Sequence, residues 1–340
     1  MMLEHGGNLI KFAQQYQMPV AEWLDLSTGV SPFTYPCPPV PFDAWNRLPE
    51  LNDGLEQAAA EYYGCGSLLA VAGSQAAIMA LPEVVAQQRG RLGVVALPRV
   101  GYKEHQHAWQ SYCGVDGARW QIEYYEDIPS TSLLARADIV VCINPNNPTG
   151  VRLPLEQLRL WQQQLQQRQG MLIVDEAFID CTPEQSLLTR PLDDNVIVLR
   201  SIGKFFGLAG ARVGFLFGQQ GLLDSIAQKM GPWTIPGPSR WITREALLDS
   251  IWQQHMCQRL ADSSSRLRTL LTHYFTGKIS GTELFQTVAL PDAPMIHHQL
   301  CQHAILTRLC DEQDALRFGL PSNELEWKKL ELTLSKITQQ

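Results

Sequence analysis

Short runs of consecutive apolar residues alternate along the middle of the chain with longer stretches in which apolar positions recur every three or four residues. Runs of the first kind, at 68–73, 92–97, 139–143, 171–174, 196–199 and 213–217, predict buried strands. Between them, 76–88 and 155–169 carry the helical period. In the second of these, Leu158, Trp161 and Leu165 form a stripe through a glutamine-rich segment, which reads as core packing rather than a binding surface. Strands alternating with helices predict an α/β fold, a mostly parallel sheet covered by helices. Proline-rich stretches at 32–41 and 232–238 read as irregular connections on either side of this block. From 239 to about 275 the pattern favours one long helix or two in series. Beyond it, short strands at 283–290, 305–309 and 316–320 mix with helices, the last beginning near Ser322. Residues 45–225 are therefore expected to form a large domain, and 1–44 together with 226–340 a smaller one.

A chain of 340 residues can bury a large core and divide in two. No apolar stretch approaches the ~18 residues of a membrane span, and the first residues lack the basic-then-apolar build of a signal peptide. The net charge of -7 argues against general affinity for nucleic acid, though not against a small anion held by a few buried arginines. Eight cysteines are scattered with no Cys-x-x-Cys pair and no clustering with histidine, so no metal site is expected. Cys142 and Cys181 are expected to pack as small hydrophobes. Reduced thiols without an export signal suggest the cytoplasm.

The most informative segment is Ser201-Ile202-Gly203-Lys204-Phe205-Phe206-Gly207-Leu208-Ala209-Gly210-Ala211-Arg212. A lysine among small residues, with a serine three before it and an arginine eight after, suits a Schiff base beside a phosphate. Most lysines are merely solvated, so the neighbours matter. Asp175 ends the apolar run Met171-Leu172-Ile173-Val174, where a carboxylate can pair with a pyridinium nitrogen. An Asp-Glu pair after a strand would also suit a magnesium-dependent nucleotide hydrolase, but no Gly-x-x-x-x-Gly-Lys-Ser/Thr loop occurs. Asn147, in Asn144-Pro145-Asn146-Asn147-Pro148-Thr149-Gly150, completes the set. In this order, the three segments resemble the aminotransferase-type (fold type I) pyridoxal-phosphate enzymes. That resemblance implies a large domain built on a seven-stranded, mostly parallel sheet and a smaller α/β domain.

Other residues meet the remaining demands of pyridoxal phosphate. Ser74 and Gln75 follow a strand and open a helix, where backbone and side-chain donors meet a phosphate. The same turn is also a common structural junction. Ser201 and Arg212 would complete the phosphate cup, the guanidinium as a charge-assisted fork, unless Arg212 is an ordinary surface ion pair. Tyr102 is the candidate for stacking on the ring, against an ordinary half-buried loop aromatic, with His105 behind Asp175 and Asn147 facing the phenolic oxygen. Arg317, within Leu316-Arg317-Phe318-Gly319-Leu320, lies in an apolar strand where an unmatched guanidinium is costly, and so awaits a carboxylate or a structural salt bridge. Arg308, in Ile305-Leu306-Thr307-Arg308, has the same setting and suits a second anion or a salt bridge.

His5-Gly6-Gly7-Asn8 and Trp23-Leu24-Asp25-Leu26-Ser27-Thr28-Gly29, with Asp175-Glu176-Ala177-Phe178-Ile179-Asp180, resemble the threonine-phosphate decarboxylase branch of cobalamin biosynthesis. The resemblance runs through essentially the whole chain. It implies decarboxylation of a phosphorylated amino acid, with His5, Gly6 and Arg308 on the substrate phosphate, Arg317 on its carboxylate, and a homodimer. The sister histidinol-phosphate aminotransferases usually carry a tyrosine where this chain has Phe178, which would leave the phenolic oxygen more to Asn147. Two further departures stand out. Many relatives have an asparagine at Gly29, and many have a tyrosine at Leu48 that reaches the partner subunit's cofactor phosphate. The rival readings are a histidinol-phosphate-type aminotransferase and a non-catalytic partner protein that kept the fold.

Overall fold

A computed structural model describes residues 5–338. Among them, strands form three sheets: one of seven strands, one of four and one of two. In chain order they are β1 (Leu24–Asp25), β2 (Leu68–Val71), β3 (Val94–Pro98), β4 (Gln121–Tyr125), β5 (Ile139–Ile143), β6 (Met171–Asp175), β7 (Val196–Ser201), β8 (Gly214–Phe217), β9 (Ile279–Thr282), β10 (Phe285–Ala289), β11 (Ile305–Leu306), β12 (Arg308–Leu309) and β13 (Ala315–Gly319).

The chain divides into two compact units. The larger comprises Tyr35–Asn147 and Val151–Gln253, and holds the seven-stranded sheet in the order β2-β8-β7-β6-β5-β3-β4. All neighbours run parallel except those of β8, which is antiparallel to both β7 and β2. β5 is buried along its whole length because helices cover both faces, and this produces the unbroken apolar runs read from the sequence. The edge strand β4 gave no such run: Gln121-Ile122-Glu123-Tyr124-Tyr125 is buried only at its last residue. Open parallel sheets present their ligand sites beyond the carboxyl ends of the strands. β8 runs the other way, so the residues just before it reach the same edge.

The expected domain limits at 45 and 225 move to 35 and 253. Leu222, Leu223 and Ile226 of the helix Gln220–Met230 join Val71, Ile78 and Leu81 in one core. In the next helix, Gly237–Leu248, Arg240 is buried and forks onto Asp53 at 2.7 Å and Glu56 at 2.7 Å. Both helices therefore belong with the large sheet. Tyr35 is tied in as well, by its N–H donating to Phe206 O at 2.9 Å and by an edge contact with Trp252. The segment expected as one or two helices is two, parted at Asp249.

The smaller unit comprises the described residues up to Thr34, Pro148–Gly150 and the chain from Gln254 onward. Its sheet has the order β12-β13-β10-β9, all antiparallel, and β1 pairs with β11 in parallel. β9 was not foreseen, because Ile279-Ser280-Gly281-Thr282 has no apolar run. Among the described residues, no helix is long and apolar enough to cross a membrane.

Candidate active site

In the large unit, one cavity gathers Ser74, Tyr102, Asn147, Asp175, Lys204 and Arg212, together with Gln75, Phe178 and Ser201. Residues far apart in sequence meet here because each follows a parallel strand (Ser74 after β2, Tyr102 after β3, Asn147 after β5, Ser201 and Lys204 at the end of β7) while Arg212 precedes the reversed β8. Asp175 is the last residue of β6 and is 4 % exposed. One of its oxygens lies 2.9 Å from His105 Nε2, itself 1 % exposed, and the other accepts from Ala177 N at 3.1 Å. The carboxylate is thus fixed in direction before any ligand arrives.

Strand alternation sends the next residue the other way. Glu176 turns into a buried cluster, where Leu187 N donates to it at 2.8 Å and Arg200 lies at 3.5 Å. Burial pushes the Glu176 carboxyl up, and Arg200 opposes the shift. The Asp175-Glu176 pair therefore splits between a site residue and a structural one, unlike two carboxylates sharing a metal.

Lys204 lies in the turn after β7, with Nζ 5.5 Å from the centre of the Phe178 ring. Phe205 and Phe206 beside it are buried, and Phe206 stacks on Trp252 at 5.6 Å. These anchors hold the lysine's backbone while its side chain faces the cavity.

The phosphate end is built by close approach. Gly73 has φ +72°, and a Cβ there would lie 2.8 Å from Arg212 Nη2. Arg212 itself sits at φ 54°, an uncommon conformation for a side-chain-bearing residue and of the kind found at ligand clamps. A Cβ at Gly214 would meet Ser74 N at 2.5 Å. The two glycines thus let the guanidinium and the N-terminus of helix Ser74–Arg89 crowd together, a cationic concavity suited to a phosphate. Gln75 departs from expectation. Its side chain accepts from Tyr102 Oη at 3.1 Å and donates to Glu104 at 2.6 Å, so it positions the aromatic ring, with one N–H of the amide already committed to Glu104. Burial, then Glu104 and Asp175, push the Tyr102 hydroxyl up, so it stays protonated. Carboxylate, amine, ring and phosphate cup together fit pyridoxal phosphate.

The smaller unit holds a second cavity, whose lining includes His5, Gly6, Ser27, His297, Arg308 and Asp311. The His-Gly-Gly-Asn start has a mechanical basis. A Cβ at Gly6 would lie 2.2 Å from Ser27 O, and Gly7 adopts φ +84°. Gly7 N donates to Ser27 Oγ at 2.8 Å, Ser27 Oγ to Asp25 at 2.6 Å, and Asn8 Nδ2 to His5 O at 2.9 Å. Only glycine permits this docking, which brings His5 to the cavity wall.

Ser27 also links to Arg317, which is 7 % exposed and donates to Ser27 O at 2.7 Å. Arg317 and Arg308 are direct cross-strand partners on β13 and β12. Like charges facing each other across a ladder repel unless an anion joins them. Burial, opposed by Cys310 and reinforced by Arg308, pulls the Arg317 pKa down to about 10. Both effects favour binding of an anion. Arg308 donates to Asp311 at 2.6 Å.

Gly29 is buried after β1 and lines neither cavity. Sequence reasoning missed Ser27, His297 and Asp311. His297 Nε2 lies 3.1 Å from Thr307 O and steadies the joint between β11 and β12, a role with no mark in Ile296-His297-His298. Asp311 lies in the acidic turn Cys310-Asp311-Glu312-Gln313-Asp314, which reads as a solvated hairpin tip.

A profile of aminotransferase class I and II matches residues 43–317. Threonine-phosphate decarboxylase from Pseudomonas aeruginosa is 43% identical over 333 residues, covering 98% of this chain and 97% of the relative. The enzyme of the same description from a Sinorhizobium species is 34% identical over 340 residues, covering 98% of each. In fold, the chain is similar to histidinol-phosphate aminotransferase from Sinorhizobium meliloti, solved in complex with pyridoxal-5'-phosphate, with a TM-score of 0.79 at 18% identity over 99% of this chain and 98% of that one. The extent of these matches, over a chain whose strand ends gather one cationic and carboxylate-bearing cavity, places it in the aminotransferase class I and II family, on the branch of the threonine-phosphate decarboxylases.

Proposed function

We propose that the chain decarboxylates L-threonine O-3-phosphate to (R)-1-amino-2-propanol O-2-phosphate, with pyridoxal phosphate, in cobalamin biosynthesis. The observation that carries this reading is the register of Arg308 against Arg317 beside the His5 cavity, because a phosphorylated amino acid brings two anions. When bound, the cofactor supplies an electron sink for the bond that breaks at the substrate's α-carbon. Lys204 would hold it covalently and would serve as the group that moves a proton at that carbon. Asp175, oriented by His105, would set a negative charge at the ring nitrogen. Tyr102 would cover a ring face, Asn147 would donate to the phenolic oxygen, and Ser74, Ser201, Arg212 and the backbone of Gln75 would take the cofactor phosphate. Arg317 takes the substrate carboxylate, while Arg308, His5 and Gly6 take the substrate phosphate.

A homodimer is part of this reading. Phe42, Trp45, Leu48 and Leu51 are all exposed within ten residues, a spacing of apolar side chains that suits cover by a second copy. Leu48 offers no donor, so any contribution of that side chain to the partner's site is by packing. The proposed compartment is the cytoplasm.

The two arginines separate the roles. Arg308→Ala is expected to raise KM for threonine phosphate by about 10²-fold, the scale for truncating one side of a charge-assisted pair, while leaving KM for threonine nearly unchanged. Arg317→Ala should weaken both substrates, because both carry the carboxylate. Steady-state kinetics on the two substrates decides the matter, and equal losses for both in Arg308→Ala would remove the phosphate from Arg308.

A further inference from the structure

We infer that Asp311 is an internal counter-ion of this pocket: it occupies Arg308 until an anion of higher charge displaces it, and so sets a threshold for anion binding. The inference rests on reading the His5 cavity as the seat of the substrate phosphate. Its basis is that a cavity otherwise suited to an anion has a carboxylate in its wall, with Asp311 Oδ1 2.6 Å from Arg308 Nη2. A phosphate entering this cavity meets a like charge, already on the guanidinium it needs.

The two partners are unequal in ways that make exchange easy. The Arg308 side chain is 17% exposed and sits on β12, whereas Asp311 is 39% exposed, three residues on in the hairpin turn. Swinging the carboxylate into water costs little, since ion pairs with solvent-exposed partners contribute little to stability. The guanidinium stays behind, with its backbone in the ladder opposite Arg317 and the preceding carbonyl held by His297. An arriving phosphate dianion brings twice the charge of Asp311 and can accept two parallel N–H bonds. A carboxylate brings the same charge as Asp311 and gains nothing by exchange. The contact therefore acts as a threshold. It lowers affinity for every anion by a similar factor, but leaves only those of higher charge bound at ordinary concentration. Abundant free amino acids and keto acids are thereby kept from a site that must accept a phosphorylated one.

The test uses the pyridoxal-phosphate-loaded protein, so that the cofactor's own phosphate cup is filled, and inorganic phosphate and acetate as probes in calorimetric titrations. Asp311→Asn should tighten inorganic phosphate by about three- to tenfold and make acetate binding measurable, because the competing charge is gone while a polar side chain of the same size remains. Asp314→Asn is the control, as Asp314 is exposed in the same turn but does not line the cavity. Tightening in Asp311→Asn and not in Asp314→Asn supports the inference. Unchanged or weaker phosphate binding in Asp311→Asn overturns it, since Asp311 would then be orienting Arg308 rather than competing for it. Equal tightening in both variants also overturns it, by reducing the effect to net charge. These titrations involve no turnover, so a failed decarboxylase assay would count against the reaction while leaving their outcome intact.

Discussion

Lys204→Ala is expected to fold normally, to keep weak cofactor binding, and to lose turnover by at least about 10³-fold. One substitution removes both the covalent attachment and the group that moves the proton, and each alone is a large effect. The fold should survive because the turn is held by the buried Phe205 and Phe206 and by the stacking of Phe206 on Trp252, none of which involves the lysine side chain. Borohydride reduction of the loaded wild-type protein, followed by peptide mapping, should place the label on Lys204. A label on another lysine, or near-normal turnover in the variant, would remove Lys204 from the centre of the site.

Asp175→Asn should lower kcat by about 10²-fold or more, the scale of neutralising one partner of a buried charge pair. Asparagine has nearly the same shape and can still accept from Ala177 N and meet His105, so the loop after β6 should keep its course. What is lost is the negative charge that keeps the ring nitrogen protonated. An unchanged thermal midpoint together with the loss in kcat separates this from unfolding. Near-normal kcat would mean that the charge at the end of β6 does not act on the ring.

These two residues were legible in the sequence for a physical reason. A strand buried on both faces must be apolar throughout, so a carboxylate ending Met171-Leu172-Ile173-Val174, or a lysine in a glycine-rich turn after such a run, stands out against its surroundings. β5 was read with its observed limits on the same grounds. The signal fades where burial is partial, as in the edge strand β4, and where a strand is held by its hairpin partner, as in β9. Properties set by tertiary contact were not legible. Arg240 forking onto Asp53 and Glu56 draws a helix into the large unit, but nothing local in the sequence announces the pairing.

In the cavities, the sequence marked residue types but not their directions. Gln75 lines the cavity with Ser74 and Arg212, and its amide is turned to Tyr102 and Glu104. Arg308 and Arg317 were read as two buried-strand arginines, while their register as direct partners, and the carboxylate of Asp311 on one of them, depend on a hairpin that no single-strand pattern encodes. Gly6 illustrates the same limit from the other side. Its motif was recognisable, but the reason for glycine, a carbonyl of Ser27 at 2.2 Å from where a Cβ would lie, belongs to the folded chain.

The reaction is tested by incubating the loaded enzyme with L-threonine O-3-phosphate alone and measuring CO2 and phosphorylated aminopropanol together. The two are expected in equal amounts, with no keto acid required as an amino-group acceptor. Amino-group transfer that depends on an added keto acid and releases no CO2 would contradict that expectation.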